Sequence, residues 1–199
     1  MEYFCDSNNY LKRAEACLEK NDPQYLFYAA LELRCFIENR QNDYLEAQEK
    51  YRKSLPKRWK IGKQASELGR FFNLDKIQKI TNIFEDGFQF VSLYVPVSKS
   101  LAANSVRLGE LMHAQNDDLS EESLETFQSR LNNILKCAHE CQSGNMLSPV
   151  LMDKSTGNSF GHVSLKLDQN DANEMKDRFQ AGTKMVANVE YLEFEKTIQ

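Results

Sequence analysis

No stretch of the sequence approaches the roughly 18 consecutive apolar residues of a membrane-spanning helix, so no membrane-spanning helix is expected. The opening Met1-Glu2-Tyr3-Phe4-Cys5-Asp6 lacks the basic n-region and apolar h-region of a secretory signal. Five cysteines, an odd number, lie within helical patterns rather than in a loop-rich frame. That usage reads as reduced thiols in a cytoplasmic protein. Histidine is scarce, and the three present, His113, His139 and His162, sit far apart with no nucleophile elbow near them. Gly62-Lys63 has neither a strand-glycine lead-in nor a Ser or Thr after the lysine, so it is not a phosphate-binding P-loop.

Cys137, His139 and Cys141 resemble a ligand set only on paper. On a helix His139 is turned about 200° from Cys137, so the three cannot converge on one ion, and no metal or other cofactor is expected. The paired acids Asp117-Asp118 and Glu121-Glu122 are explained by capping and solubility rather than by acid–base chemistry. No internal repeat or low-complexity segment is present.

What the sequence does contain is helical periodicity. Asn21-Asp22-Pro23 is a helix start, with Asp22 as cap and Pro23 at the first helical position. Leu26, Ala30, Leu33, Ile37, Tyr44, Ala47 and Tyr51 then recur at helical spacing over about seven turns, interrupted only by Arg40. A shorter pattern from Asn8 to Lys20 precedes it, so the two are expected to form an antiparallel hairpin. Residues 64–84 read as helical with a break near Asn73-Leu74-Asp75. Asp86-Gly87 reads as a turn, and Phe88 to Val97 as extended. Further helices are expected from Ser100 to Ala114 and from Ser120, a cap followed by two acids, to Gly144.

Beyond Gly144 the composition changes. Met146 to Met152 is a short apolar run, Phe160 to Asp168 alternates as a strand, Asp171 to Gln180 is a short helix, and Lys184 to Phe194 alternates again. The fold expected is mainly α: a helical bundle over 1–142 organised on the long second helix, with a small β-β-α-β (α+β) appendage over 143–199 packed on it.

Charge is unevenly spread. Residues 1–100 hold 16 Lys and Arg against 14 Asp and Glu, a net +2, while residues 101–199 hold 9 against 15, a net −6. An anion-binding surface therefore belongs in the first half. Arg52, Lys53, Lys57, Arg58, Lys60 and Lys63 cluster there without an intervening acid, around the single tryptophan, Trp59. One reading is a phosphate-binding segment whose Trp59 stacks on a base; the other is a solvated basic connector anchored by Trp59.

Tyr10-Leu11-Lys12-Arg13-Ala14-Glu15 and Tyr28-Ala29-Ala30-Leu31-Glu32-Leu33-Arg34 resemble the first two helices of the HEPN superfamily. That resemblance implies a helical bundle belonging to a bacterial antiphage or toxin-type system. Catalytic members are metal-independent ribonucleases that use an R-x(4–6)-H motif shared across a dimer interface; other members are binding or dimerisation modules. Arg34 matches the motif arginine, but the histidine would fall at 39–41, where Asn39, Arg40 and Gln41 stand. None of these titrates near neutral pH. The resemblance thus implies a non-catalytic assembly module, a homodimer or one that binds a partner subunit. The alternative is a ribonuclease with a degenerate site built on Arg34, Asn39, Arg40 and His113, with RNA or another polyanion as ligand.

The basic segment is directly testable. If Lys57, Arg58 and Lys60 contact a polyanion, replacing all three with Gln weakens RNA binding and flattens its salt dependence by about three phosphate contacts. Filter binding across a salt series reads both quantities.

Overall fold

A computed structural model of the chain describes residues 2–20, 22–48, 60–70, 72–112, 120–152, 155–156, 159–160 and 163–194. Helices dominate it, so the protein is mainly α, with a small antiparallel sheet. Helix α1 (Ser7–Leu18) starts where the Asp6 carboxylate accepts from Asn9 N at 3.0 Å. Helix α2 (Pro23–Glu46) starts where Asp22 accepts from Gln24 N at 3.0 Å. In each case the cap satisfies an amide that the first helical turn leaves without a carbonyl.

The apolar stripe of α2 is buried from Leu26 to Tyr44, and Ala29, Phe36 and Leu45 widen it. The helix ends at Glu46, short of the full stripe expected, with Ala47 half-buried and Tyr51 outside the described residues. Four helices touch it: α1, α3 (Ile61–Gly69), α4 (Lys99–Leu111) and α5 (Glu121–Gln142). Ala14, Ala29 and Ala30 are wholly buried, which suits close helix approach. Farther along, Phe27 of α2 meets Phe127 of α5 with ring centroids 5.5 Å apart. Helix α5 begins where Ser120 accepts from Ser123 N at 3.2 Å, with Glu121 and Glu122 in its first turn.

The helical expectation for 64–84 holds only to Gly69. Ile77–Phe84 is a strand, β1, paired with β2 (Gln89–Tyr94). Ile77, Ile80, Ile83 and Phe84 mimic helical spacing because two positions on the buried face, Gln78 and Asn82, are polar. Their side chains are satisfied in place. Gln78 accepts from Val150 N at 2.6 Å and donates to Val150 O at 3.0 Å, and Asn82 donates to Phe90 O at 3.4 Å. The connecting turn uses Asp86-Gly87, with Gly87 at φ +85°, a conformation open to glycine at no steric cost.

The stretch after Gly144 also differs from expectation. Among the described residues of the strand expected over Phe160–Asp168, Phe160 pairs as part of Ser159–Phe160 (β4) with Leu151–Met152 (β3), and Leu165 makes an isolated bridge to Met146. Helix α6 (Gln169–Gln180) lies against the hairpin turn, its Arg178 over the Phe88 ring at 3.7 Å and bonded to Asp86 at 3.0 Å. The last strand, β5 (Met185–Leu192), pairs antiparallel with β1, giving the order β2-β1-β5. A strand from the last 15 residues thus completes a sheet begun at residue 77. No helix among the described residues is long and apolar enough to cross a membrane.

Gly144, just past the end of α5, lies tightly against β2 and the residue after it. A Cβ there would stand 3.0 Å from Val95 N and 3.1 Å from Leu93 O. Gly144→Ala is expected to lower stability by about 1–3 kcal/mol. Gly62→Ala, where a Cβ meets nothing within 4 Å, should be neutral or slightly stabilising. Chemical denaturation of the two variants checks the contrast.

Candidate functional site

Arg34 lies on α2, facing α4. Its Nε donates to Glu38 Oε1 at 3.0 Å, and the two side chains are 26% and 22% exposed. The guanidinium lies across Gly109 of α4, where a Cβ would fall 1.9 Å from Nη1. Glycine at 109 is what makes room for it.

Arg40 has turned the other way and is completely buried, at 0% exposure. Its Nη2 donates to Gly144 O at 2.7 Å and to Cys141 O at 3.3 Å, and its guanidinium carbon stands 4.9 Å from the centre of the Tyr44 ring. These carbonyls close the C-terminal end of α5, so the cation sits at the negative pole of that helix. No carboxylate pairs with it among the described residues. Burial works against its charge, yet Tyr44 and Cys141 outweigh that effect and keep its pKa above the ordinary value.

Around it the polar groups stay neutral. Burial pushes the Tyr44, Tyr94 and Cys141 pKa values up. The Tyr44 hydroxyl donates to Val95 O at 2.5 Å and stands 3.7 Å from Cys141 Sγ. Among the described residues, Arg40 Nε and the Tyr94 hydroxyl have no hydrogen-bond partner.

The other candidates do not gather around Arg34. Asn39 is half-buried on α2, about 140° around the helix from Arg34, and Arg40 is about 120° away in the opposite sense. Lys60 and Lys63 are exposed at the start of α3. His113, Arg52, Lys53, Lys57, Arg58 and Trp59 lie outside the described residues. His139 points outward from α5 to Glu15 Oε1 at 2.7 Å while Cys141 points into the core. No group of three or more metal-ligating side chains occurs among the described residues.

A surface that the periodicity did not flag lies on the outer side of α2. Tyr28 and Leu31 are 53% and 48% exposed, and Tyr25 packs edge-on against Tyr28 with centroids 5.6 Å apart. One turn on, Glu32 Oε1 accepts from Arg13 Nε at 3.0 Å and from the Tyr3 hydroxyl at 3.1 Å. Arg13 Nη1 donates to Phe4 O at 2.9 Å, and its guanidinium covers the Tyr3 ring at 4.1 Å. The N-terminal segment is thereby fastened across the α1–α2 hairpin with Tyr3 and Phe4 still exposed. The signal was the step of three from Tyr25 through Tyr28 to Leu31, out of phase with the core stripe.

Comparison of the chain with protein-family models, curated proteins and solved structures finds no match in any of the three.

The buried cation gives a prediction. Arg40→Ala leaves the Gly144 and Cys141 carbonyls without their donor and opens a cavity, and is expected to cost about 3–5 kcal/mol. Arg40→Lys keeps the charge but loses the planar fork, so it should recover only part of the loss. Denaturant midpoints for the pair measure both effects.

Proposed function

We propose that the chain is a non-catalytic binding and assembly module, a helical bundle organised on α2 that takes a protein partner on the outer face of that helix. The observation that carries this reading is the exposed group Tyr28 and Leu31, bordered by Tyr3 and Phe4. Large aromatic and aliphatic side chains exposed together suit a protein interface. The setting implied by the HEPN resemblance, a subunit or accessory component of a bacterial antiphage or toxin-type system, belongs to the same proposal.

The alternative, a degenerate ribonuclease, needs an arginine free to meet a phosphate and a proton-transferring neighbour. Arg34 is instead bonded to Glu38 and lodged against Gly109, and Arg40 is spent on the end of α5. Both observations favour binding over cleavage.

Arg34→Ala separates the two readings. For an assembly module it removes a half-exposed ion pair and the packing over Gly109, lowering stability by about 1 kcal/mol with no change in RNA integrity. Metal-independent RNA cleavage by the pure protein, abolished by Arg34→Ala at an unchanged melting temperature, would overturn the proposal. Pull-down with Leu31→Lys tests the surface itself, which predicts loss of the partner from a fully folded variant.

A further inference from the structure

The two edges of the sheet are treated differently. Glu85 N donates to Lys184 O at 3.1 Å, and Phe84 N to Phe88 O at 2.9 Å. Those bonds set the alternation: odd-numbered residues of β1 bond to β5 and even-numbered ones to β2. The outward backbone groups of β2 therefore belong to Gln89, Val91 and Leu93. Two of these residues are covered: Leu93 N donates to Asn145 Oδ1 at 2.8 Å, Leu93 O accepts from Met146 N at 2.9 Å, and Val91 O accepts from Asn145 Nδ2 at 3.4 Å.

On β5 the outward N–H and C=O groups are those of Met185, Ala187, Val189 and Tyr191, and among the described residues none bonds to them. Nor does β5 carry the usual protection of an edge. It has no proline, no glycine and one charge, Glu190, which is occupied by Lys79 at 3.2 Å. Apolar side chains stand exposed on both of its faces, Val186 at 64% and Tyr191 at 60%, with Met185 and Leu192 also exposed.

We propose that β5 pairs antiparallel with β5 of a second copy of this chain, joining two three-stranded sheets into one of six. The inference deepens the assembly reading, on which it rests. The occupant follows from the strand's complementarity to itself. Pairing centred on Val189 sets Val186 against Leu192, Ala187 against Tyr191 and Asn188 against Glu190, and it bonds outward groups to outward groups. Centring on Glu190 would oppose two carboxylates, and centring on Asn188 would set Val186 against Glu190. Of these three centres only Val189 matches apolar with apolar and keeps like charges apart.

Sedimentation of the full chain tests the proposal, with circular dichroism and melting temperature showing that each variant is folded. The parent sediments as a dimer. Val186→Lys with Leu192→Lys opposes cations at exposed positions and raises the dimer dissociation constant by about tenfold or more, whereas Val186→Lys with Leu192→Glu restores it. Val189→Cys in a Cys5→Ser background gives a covalent dimer on diamide oxidation, since only this register sets residue 189 against itself. A dimer indifferent to the paired lysines, or lost in Leu31→Lys but not with them, overturns the edge while assembly stands. A parent that stays monomeric overturns the second copy as occupant and leaves the edge to an extended segment of another protein, with the α2 surface still tested separately by pull-down. Failure of Val189→Cys to cross-link overturns the register.

Discussion

The Arg40 guanidinium is the point at which the parts of this fold meet. A cation taken wholly out of water is tolerated only when its donors find acceptors and its charge finds a compensating field. Here the acceptors are Cys141 O and Gly144 O, and the field is that of the C-terminal end of α5. The arginine comes from the middle of α2, so a single side chain fixes the two longest helices in register. The next residues of the chain, Asn145 and Met146, close the edge of β2. Tyr44, one turn on from Arg40, reaches Val95 just beyond the same strand. Helices and sheet are thus tied together through one small polar region inside the core.

That arrangement explains why the sequence could be read so unevenly. The helix starts are local chemistry and were legible as such: Asp22 before Pro23, and Ser120 before two glutamates, each cap an amide within three residues. Arg40 shows in the sequence as an interruption of an apolar stripe and as a candidate site residue, and its structural role is hidden because its acceptors lie 101 and 104 residues away. Strand β1 was hidden for a related reason. Gln78 and Asn82 occupy buried positions, and Gln78 is justified by Val150, 72 residues on, so its alternation is polar where a simple pattern demands apolar. Strand β5 alternates visibly, but its partner Ile77–Phe84 carries helical spacing, so the pattern by itself places β5 in a separate tail.

The candidate site divides along the same line. The Arg34–Glu38 pair, at i and i+4 on one helix, could be seen in the sequence; the glycine on α4 that receives the guanidinium could not. Tyr28 and Leu31 carry no mark of exposure in the sequence, since an apolar residue on a helix fits the core equally well. Helical phase was the available clue, and it is weak when a buried face is as wide as that of α2.

The chemistry left on the surface then bears on the proposed mode of assembly. Both arginines of α2 are engaged in holding the structure, one by a carboxylate and a neighbouring helix, one by the end of α5. Neither presents the open, planar fork that phosphate recognition uses. Burial has moved the buried tyrosines and Cys141 away from neutral titration, so they are not placed for proton transfer near pH 7. The large apolar side chains that α2 shows to solvent are Tyr28 and Leu31; what the sheet shows, among the described residues, is an unprotected edge flanked by valine, leucine and tyrosine. Interactions built from such groups gain from area removed from water and from backbone pairing, with little dependence on charge. An acidic C-terminal half does not oppose that mode, because β5 itself contributes only one carboxylate and a lysine of β1 already lies beside it. Area burial and strand addition are therefore the forces on which the proposed assembly would rest.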